Sequence, residues 1–490
     1  RRDLRNDIIF TIDGEDAKDL DDAIHVEKLE NGNYKLDVHI ADVSHYVREK
    51  TELDKEAYLR GTSIYMLGRV IPMLPRELSN GICSLNAGED RYTLSCSMEI
   101  TPKAKIVSSD IYKGVIRVTE RMCYTDVQKI LDRSDETVLK RYEKYISYFD
   151  LMAELANILK AKRKENGYLN LEIPESKIIL DENGVAIDVK KYETYFANEI
   201  IEQFMLIANE TVAEKFYWLQ APFIYRNHEA PDVDKVKELN KFLFNLGYKI
   251  KINKDTVEPI AFEEVLKQIK GKPEEKVIST LILRTLKVAK YEPENKGHFG
   301  IASKCYCHFT SPIRRYPDLF IHRVISQYLN DNNNKIEIKN DISTSKKVNL
   351  EEKQAIKIIK NKLPEEIYEK YIGQAEKYAE QSSECEKIAQ KVERDAEDVK
   401  KAEYMQNKIG EEYKGIISSV TSFGIFVELE NTVEGLIRFD NLGNEYFIYD
   451  EDNKTLIGEK TKKVYHIGDK IKIRVIAANK QTRRIDFESL

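Results

Sequence analysis

The feature that most constrains the fold of this chain is an acidic run near its start. Ten residues, 13–22, hold five aspartates and one glutamate, and strongly apolar segments flank them at 8–12 and 23–26. The flanks predict two buried strands, so the acidic residues form the turn between them. Carboxylates held this close repel one another unless cations neutralise them, and Mg²⁺ binds a few carboxylates together with waters and substrate phosphates. The run therefore predicts a site where divalent metal ions meet a phosphodiester.

A solvated acidic loop is the ordinary alternative for a run of charges. The predicted strands tie both ends of the run into a core, which argues against a free loop. A calcium-binding loop needs acidic residues at alternate positions, then a glycine and a distal glutamate, and the run lacks that spacing. We therefore favour a metal site, with Mg²⁺ as the expected ion and Mn²⁺ as its alternative.

The length and hydropathy of the chain limit its class. A chain of 490 residues predicts roughly two to four domains with large cores. No apolar run approaches the roughly 18 residues that span a bilayer, and no signal-peptide pattern opens the chain, so no membrane partner is expected. The chain begins at Arg1 without an initiator methionine, so we expect a fragment or a processed form.

The cysteines and the net charge bear on compartment and partner. The six cysteines show no zinc or disulfide spacing, which predicts reduced thiols and a cytoplasmic protein. Cys305 and Cys307, followed by His308, lack a second ligand pair, and we interpret them as packing. The formal net charge of −6 argues weakly against a nucleic-acid partner. A carboxylate cluster lowers the net charge locally, however, and a basic channel can lie elsewhere.

Periodicity indicates a mixed first part. Residues 34–40 alternate apolar and polar side chains, as in a half-buried strand. Helical spacing dominates 135–164, 197–216 and 276–291. The polar residues 330–335 predict a loop.

The composition and the periodicity of the sequence change over about the last 115 residues. Residues 375–408 are highly charged and carry apolar side chains at helical spacing, which predicts one long amphipathic helix that ends before Gly410. Beyond it, five short strands alternate with turns, which predicts a small OB-fold barrel. These strands are 413–418, 424–429, 434–439, 470–477 and 484–487. The fold class is therefore α+β and multidomain, with a large mixed α/β domain followed by a small five-stranded β-barrel.

Several long motifs resemble the ribonuclease II family, within its ribonuclease R branch. The run from Thr11 to Ala23 is similar to the catalytic signature of that family. Further similar blocks follow in the family's order at 38–46, 70–75, 78–85 and 308–318. The resemblance implies an RNB catalytic domain over residues 1–405, which includes the long helix, and an S1 RNA-binding domain over residues 409–490.

The resemblance implies a processive, magnesium-dependent hydrolase. It would degrade RNA from the 3′ end towards the 5′ end and release nucleoside 5′-monophosphates. Asp13, Asp19, Asp21 and Asp22 match the four family aspartates around the scissile phosphate, and we assign all four as metal ligands. Asp19 and Asp21 are also assigned to catalysis, with Asp21 most tightly linked to the chemistry. Two ions about 4 Å apart can activate a water and stabilise the leaving oxygen, which calls for three or four carboxylates.

Three other residues match family site positions. Arg314 matches the arginine that contacts the reacting phosphate, and a guanidinium fork suits two phosphate oxygens. Tyr65 matches a tyrosine that stacks on the RNA and helps set product length. Glu202 falls where the family has two adjacent acids, and because Gln203 replaces the second, which position carries the catalytic role stays open. For Arg314 the alternative is a structural arginine in a turn, and for Tyr65 it is a tyrosine in a core. Arg315 and Arg323 are expected to be structural or to contact backbone phosphates.

The C-terminal barrel resembles the S1-type RNA-binding domain through residues 414–427 and 434–439. Phe423 and Phe426 would then stack on bases, and Arg438 would meet phosphates. Lys480 and Arg483 are further candidates for phosphate contacts. The alternative is that one of the two phenylalanines belongs to the core.

Two other functions compete with the exoribonuclease. One is a non-catalytic RNA-binding protein that kept the fold, and the other is a translation-associated protein built around the barrel. The presence of all four aspartates and Arg314 favours the enzyme. Its expected partner is the 3′ end of single-stranded RNA, while structured RNA stays open, and we expect a monomer.

Overall fold

The computed structural model describes residues 1–171, 175–272, 274–331, 363–451 and 454–490. Nine strands lie in the first quarter of the chain. They are β1 (Arg2–Leu4), β2 (Phe10–Asp13), β3 (Asp22–Lys28), β4 (Tyr34–Ala41), β5 (Ile64–Met66), β6 (Arg69–Ile71), β7 (Asp90–Ile100), β8 (Ile106–Arg117) and β9 (Glu120–Cys123).

Helices dominate the rest of the large domain. They are α1 (Val43–Tyr46), α2 (Glu52–Arg60), α3 (Tyr124–Asp132), α4 (Glu136–Arg141), α5 (Ile146–Glu165), α6 (Phe196–Trp218), α7 (Val233–Asn245), α8 (Pro259–Ile269), α9 (Glu275–Thr285), α10 (Tyr316–Asp331) and α11 (Glu365–Gln406). Short turns of other helix types lie at Glu77–Ile82, Glu143–Tyr145 and Phe299–Ile301.

A seven-stranded sheet forms the centre of the large domain, in the order β1-β8-β7-β4-β3-β2-β9. Its neighbours pair antiparallel except for β1 with β8 and β2 with β9, which are parallel. On one face Phe10 and Val38 pack with Phe149 of α5 and Phe204 of α6. The turn between β2 and β3 therefore joins the ends of two inner strands of a well-buried sheet.

The opposite face of the sheet is also covered. Ile9 and Ala23 pack there with Tyr316 and Leu319 of α10. Because helices cover both faces, strand β4 is buried almost throughout. The prediction that it is half-buried was therefore wrong, since alternation of side chains does not reveal a second layer of helices.

The large domain also contains small two-stranded sheets. β5 pairs with β6, and two further hairpins are β10 (Ser176–Leu180) with β11 (Ala186–Lys191) and β12 (Tyr225–Asn227) with β13 (Lys290–Glu292). Helices α7, α8 and α9 share a separate core around Phe262 and Ile278.

The C-terminal barrel is closed, and its strand order is β14-β15-β16-β21-β20. Its elements are β14 (Glu412–Thr421), β15 (Gly424–Leu429), β16 (Glu434–Arg438), α12 (Phe439–Leu442), β17 (Phe447–Asp450), β18 (Thr455–Gly458), β19 (Val464–His466), β20 (Lys470–Asn479) and β21 (Arg484–Ser489). The five predicted strands are confirmed as the barrel strands. The three-stranded sheet β17-β18-β19, inserted between β16 and β20, was not predicted.

The helix predictions differ from the structure mainly at their ends. The expected helix at 197–216 is present as α6, whereas 135–164 is divided between α4 and α5 and 276–291 ends early as α9. The long helix, expected at 375–408, begins ten residues earlier at Glu365 and ends at Gln406. The predicted loop at 330–335 lies outside the described residues after Asp331. No helix in the described ranges is both long enough and apolar enough to span a bilayer.

Candidate active site and nucleic-acid interface

The acidic turn is anchored at its middle. Leu20 is fully buried, its N–H donates to Ser84 Oγ at 3.1 Å, and its carbonyl oxygen accepts from the Leu85 N–H at 3.0 Å. Ser84 Oγ in turn donates to the Lys18 carbonyl oxygen at 2.8 Å. Arg121 of β9 donates to the carbonyl oxygens of Glu15 and Ala17. These bonds hold the turn to the body of the protein, so it is not a free solvated loop.

Asp21 is the most enclosed of the four aspartates, with 5% of its surface exposed. Its Oδ1 accepts from the Ile313 N–H at 2.8 Å. Its Oδ2 is buried without a hydrogen-bond partner among the described residues and lies 3.9 Å from Arg314 Nε. Burial raises the pKa of Asp21 well above its ordinary value, and the Arg314 charge only partly opposes this.

Asp13 ends β2 and Asp22 begins β3, so the two carboxyls flank the turn. Burial raises the pKa of Asp13 to about 6. Burial also raises the pKa of Asp22 to about 8, with a further contribution from the neighbouring Asp13 charge. Oδ2 of Asp13 is buried and lacks a hydrogen-bond partner within the described part of the chain. Two carboxyls that resist ionisation next to each other favour a cation between or beside them.

Asp19 is already engaged by a neighbour. Its Oδ2 accepts a hydrogen bond from the Tyr65 hydroxyl at 2.7 Å. Tyr65 lies on the β5-β6 hairpin, and its backbone N–H donates to Glu393 Oε1 of α11 at 2.7 Å. Burial of the hydroxyl raises the pKa of Tyr65, so the group stays a neutral donor. The residue keeps 40% of its surface exposed, so a nucleotide can reach it.

The donor set fits a metal ion that also takes ligands from substrate. The unpartnered carboxylate oxygens of Asp13 and Asp21, next to Asp22, are the kind that Mg²⁺ prefers. Within the described ranges, no three Asp, Glu, His or Cys side chains converge closely enough to hold an ion by themselves. Mg²⁺ is commonly bound by one or two carboxylates plus waters and substrate phosphates, and the arrangement suits that mode. The four-aspartate ligand set stays a prediction.

Arg314 faces the acidic turn from the other side of the site. Its guanidinium donates to Ser311 Oγ at 3.1 Å, and 41% of its side chain is exposed. Its carbonyl oxygen accepts from the Ser63 N–H at 2.9 Å and from Thr62 Oγ1 at 3.1 Å. The backbone is therefore fixed while the guanidinium remains accessible to a phosphate.

Arg315 and Arg323 have structural positions. Arg315 Nη2 pairs with Asp318 Oδ1 at 2.8 Å. Arg323 Nη2 donates to Asp54 Oδ1 at 2.7 Å and to the Val47 carbonyl oxygen at 2.8 Å. Because both guanidiniums are buried in these pairs, the structural alternative applies to both.

The uncertainty between Glu202 and Gln203 has a structural answer. Gln203 is buried, and its Oε1 accepts from Arg163 Nε at 3.0 Å while that arginine pairs with Glu210. Glu202 is exposed and accepts from the Tyr168 hydroxyl at 2.8 Å. Glu202 is therefore the member of the pair that can reach a ligand, and its catalytic role stays a prediction.

Two residues near the aspartates were missed by sequence reasoning. Parallel pairing of β2 with β9 places Cys123 beside Asp13, so Tyr124, the next residue, enters the site. Burial raises the pKa of Tyr124, and the charges of Asp13 and Asp22 add to the effect. Arg121 acts in the opposite direction, since its charge lowers the pKa of Asp13. No local signal in the sequence could have joined residues more than 100 positions apart.

The predicted aromatic residues of the barrel lie on one face. Phe423 is 50% exposed and Phe426 is partly exposed, so neither ring belongs to the buried core. Their ring centroids are 6.1 Å apart and nearly perpendicular. Arg438 is exposed beside them, with Nε 3.9 Å from Asp486 Oδ1.

This face lines a cleft of about 1680 Å³ between the barrel, α8, α9 and α11. Four lysines of the large domain also line the cleft, but its lining holds as many Asp and Glu residues as Lys and Arg residues, so the cleft as a whole is not basic. These lysines are Lys267, Lys270, Lys272 and Lys276.

Two of the basic candidates instead join the barrel to α11. Lys480 Nζ lies 3.5 Å from Glu403 Oε1, and Arg483 pairs with Asp395. The side chains of Lys480 and Arg483 remain 52% and 41% exposed, so their expected phosphate contacts stay a prediction. Lys276 of α9 makes a further link across the cleft to Glu428 of β15, at 2.6 Å.

Comparison with known proteins matches both domains. Residues 1–331 match the RNB domain and residues 406–489 match the S1 RNA binding domain. Ribonuclease R 1 of Lactococcus lactis is 46% identical over 490 residues, which are 100% of this chain and 56% of that protein. Ribonuclease R of Thermotoga maritima is 42% identical over 489 residues, which are 99% of this chain and 64% of that protein. The chain thus spans less than two thirds of the length of these relatives.

Solved structures agree with the fold. RNase R of Mycoplasma genitalium in complex with ribose methylated single-stranded RNA has a TM-score of 0.88 at 32% identity, covering 100% of this chain and 72% of that chain. The same protein in complex with double-stranded RNA has a TM-score of 0.82 at 29% identity, covering 100% and 76%. Since the RNB model matches 331 of the 490 residues, this chain belongs to the RNB domain family, and an S1 RNA binding domain follows the RNB domain.

Proposed function

We propose that this chain is a hydrolytic exoribonuclease that degrades RNA processively from the 3′ end and releases nucleoside 5′-monophosphates. One observation carries the proposal. Among the described residues, buried carboxylate oxygens of Asp13 and Asp21 lack hydrogen-bond partners and lie next to Asp22, while the accessible guanidinium of Arg314 faces them. Such a pairing of cation-seeking oxygens with a phosphate-binding fork suits hydrolysis of a phosphodiester. The named ribonuclease R relatives support the same activity.

The cofactor in this proposal is Mg²⁺, as two ions, with Mn²⁺ as the alternative. Asp13, Asp19, Asp21 and Asp22 would hold the two ions. When bound, the ions would activate a water and stabilise the leaving 3′ oxygen. The chain itself sets the position of Asp21, because the Ile313 N–H fixes one of its oxygens at 2.8 Å. Asp19 would bind an ion through Oδ1, since its Oδ2 accepts from the Tyr65 hydroxyl at 2.7 Å.

Arg314 would bind the reacting phosphate. Its side chain has a single hydrogen bond to a protein atom, the one to Ser311 Oγ, in the described part of the chain, so further N–H groups can meet phosphate oxygens. Negative charge grows on those oxygens in the transition state, which makes a donor there worth more than in the ground state. A bidentate fork also orients the phosphate for in-line attack.

Single-stranded RNA would enter along aromatic and basic surfaces. Tyr65 offers a partly exposed ring beside Asp19, and stacking on it tolerates any base. The barrel adds Phe423, Phe426 and Arg438 at the cleft. The two solved complexes of the Mycoplasma protein, with single-stranded and with double-stranded RNA, support extending the proposal to structured RNA.

Two further parts of the proposal concern the state of the protein. We place it in the cytoplasm, which the six free thiols support, since disulfides are rare in reducing compartments. We also propose that it acts as a monomer, and light scattering of the eluting protein would test this.

The experiment uses a 5′-labelled single-stranded RNA and Mg²⁺. Shortening to one small labelled oligomer, with nucleoside 5′-monophosphates as the other product, is the expected result. EDTA should stop the reaction, and a 3′-phosphorylated RNA should be degraded more slowly. Internal fragments would indicate an endonuclease, and retention of intact RNA would favour the non-catalytic binding protein. Digestion that continues in excess EDTA would contradict the metal-dependent proposal.

A further inference from the structure

The turn at 311–315 delivers two groups to the active site. The N–H of Ile313 donates to Asp21, and Arg314 carries the guanidinium that faces the same carboxylate. The turn lies between the buried Phe309 and the first residue of α10. Its geometry therefore decides where both groups stand relative to a bound phosphate.

One buried carboxylate holds both ends of this turn. Asp318 lies in the first turn of α10 and has no exposed surface. Its Oδ1 accepts from the Ser311 N–H at 2.7 Å and from Arg315 Nη2 at 2.8 Å. The same oxygen thus receives one donor from before Ile313 and one from after Arg314.

A carboxylate in this position is costly unless it is well paired. Oδ2 of Asp318 and Nε of Arg315 are buried and lack hydrogen-bond partners among the residues that the structure describes. Replacing such a pair by apolar side chains is often neutral or stabilising, so stability alone does not account for its presence here. Charge-assisted hydrogen bonds are shorter and more directional than neutral ones, which suits a clamp on backbone geometry.

We infer that Asp318 is a positioning residue for the reaction. Through Ser311 and Arg315 it fixes the turn, and through the turn it orients the Ile313 N–H and the Arg314 guanidinium. It touches neither RNA nor metal in this role. The inference rests on the proposed function for its kinetic consequence, but its structural content concerns the turn alone.

A second buried pair on the same helix is a matched control. Asp54 pairs with Arg323 of α10 and also accepts from the Tyr316 hydroxyl. Asp54 is also buried, at 5% exposure, and among the described residues none of the hydrogen bonds of its carboxylate reaches the 311–315 turn. Asp54→Asn therefore reproduces the loss of a buried charge without loosening that turn.

The kinetic test compares Asp318→Asn with Asp54→Asn in the whole chain. A misplacement of about 1 Å at a catalytic group costs about 100-fold, so Asp318→Asn should lower kcat by about that factor while KM for RNA stays within about twofold. Asp54→Asn should lower the melting temperature and leave kcat unchanged. In an Arg314→Ala background, Asp318→Asn should lower kcat much less than about 100-fold, because groups that act as a unit are not additive.

Hydrogen exchange supplies a readout that needs no activity. The Ser311 and Ile313 amides should exchange faster in Asp318→Asn than in the parent protein, and Asp54→Asn should leave both unchanged. If Asp318→Asn does not fold, Arg315→Lys replaces it, since lysine keeps the charge and loses the fork. That variant keeps the bond from the Ser311 N–H to Asp318, so it should lower kcat and speed exchange of the Ile313 amide while the Ser311 amide stays protected.

The outcomes separate the two proposals. A parent protein that does not shorten RNA refutes the proposed function, and amide exchange still decides whether Asp318 clamps the turn. Unchanged protection of both amides overturns the inference. So does a kcat loss that is fully additive with Arg314→Ala, because it would place the effect elsewhere in the fold.

Discussion

Replacing Asp22 by asparagine should change how the stability of the metal-free protein depends on pH. Burial and the neighbouring Asp13 charge raise the pKa of Asp22 to about 8 in the folded protein, against an ordinary value of 3.8. In the unfolded chain the same carboxyl releases its proton near its ordinary pKa. Between these two values the folded state binds a proton that the unfolded state does not, so stability falls as the pH rises. Asparagine carries no such proton and removes this dependence.

The size of the effect follows from the two pKa values. One proton of difference changes the free energy of unfolding by about 1.4 kcal/mol per pH unit. The stabilisation of the neutral form is complete below the unfolded pKa and disappears as the pH rises through the folded pKa of about 8. The advantage of Asp22→Asn over the parent should therefore grow steadily from about pH 5 to about pH 8 and total several kcal/mol. The substitution also removes a negative charge next to Asp13, whose pKa is raised to about 6, and this second effect is included in the difference.

Urea unfolding in EDTA at a series of pH values measures the difference directly. Buried histidines affect the same pH range, because burial lowers the pKa of His39 to about 4 and that of His298 to about 3 in the folded protein, while the unfolded chain takes up these protons near about pH 6.5. Their contributions cancel when the variant is subtracted from the parent. Asp16→Asn is the matched control, because Asp16 belongs to the same turn but is exposed.

Magnesium adds a second arm to the experiment. An ion that binds the ionised carboxyls stabilises the folded state by mass action, so Mg²⁺ should restore the stability of the parent at high pH. Asp22→Asn should gain less from the ion. A difference between parent and variant that stays constant from pH 5 to pH 8, or a response to Mg²⁺ that the variant fully retains, would refute the assignment of Asp22 to a buried cation site.

Three further predictions test the proposed roles. Asp21→Asn should abolish RNA cleavage in the exonuclease assay while filter binding of RNA persists, whereas loss of both would mean a structural role. Tyr65→Ala should lengthen or blur the final oligomer on a sequencing gel, because the stacking face is lost. Tyr65→Phe should keep the product length. An unchanged product in the alanine variant would remove Tyr65 from the site. Phe423→Ala combined with Phe426→Ala should weaken RNA binding by about 1–3 kcal/mol for each base that loses its platform, measured by fluorescence anisotropy. Tyr446→Ala is the control, because Tyr446 lies in the C-terminal domain, is 71% exposed and does not line the cleft. An equal loss of RNA affinity in this control would contradict the assignment of the phenylalanine face.

Local patterns were sufficient for several elements. The acidic turn lies between β2 and β3 as the flanking apolar residues predicted, because each flank is a short segment whose burial shows in its own composition. The barrel strands were found for the same reason, since a period of two residues and the turns between strands are local signals. The long helix was recognised by its periodicity, but its start at Glu365 lies upstream of the expected residue. Helix ends depend on packing and capping as much as on propensity.

Long-range pairing accounts for what could not be predicted. Tyr124 belongs to the site because β2 and β9 run parallel, and Glu393 reaches the Tyr65 N–H because α11 returns to the β5-β6 hairpin. Lys480 and Arg483 carry the positive charge that a phosphate contact needs, yet carboxylates of α11 pair with both. Propensity carries no information about a partner that is distant along the chain.

The sequence by itself determined which groups are available: an aspartate-rich turn between buried strands, an arginine in a Ser-Pro turn and two aromatic residues on a small barrel. Tertiary structure alone decided how those groups meet. It placed the Ile313 N–H on Asp21, left buried oxygens of Asp13 and Asp21 without hydrogen-bond partners in the described part of the chain, and set the carboxylate of Asp318 behind the turn. The physical reason is that charge and hydrogen-bonding capacity belong to each residue, whereas desolvation and the distance between groups exist only after the chain has packed.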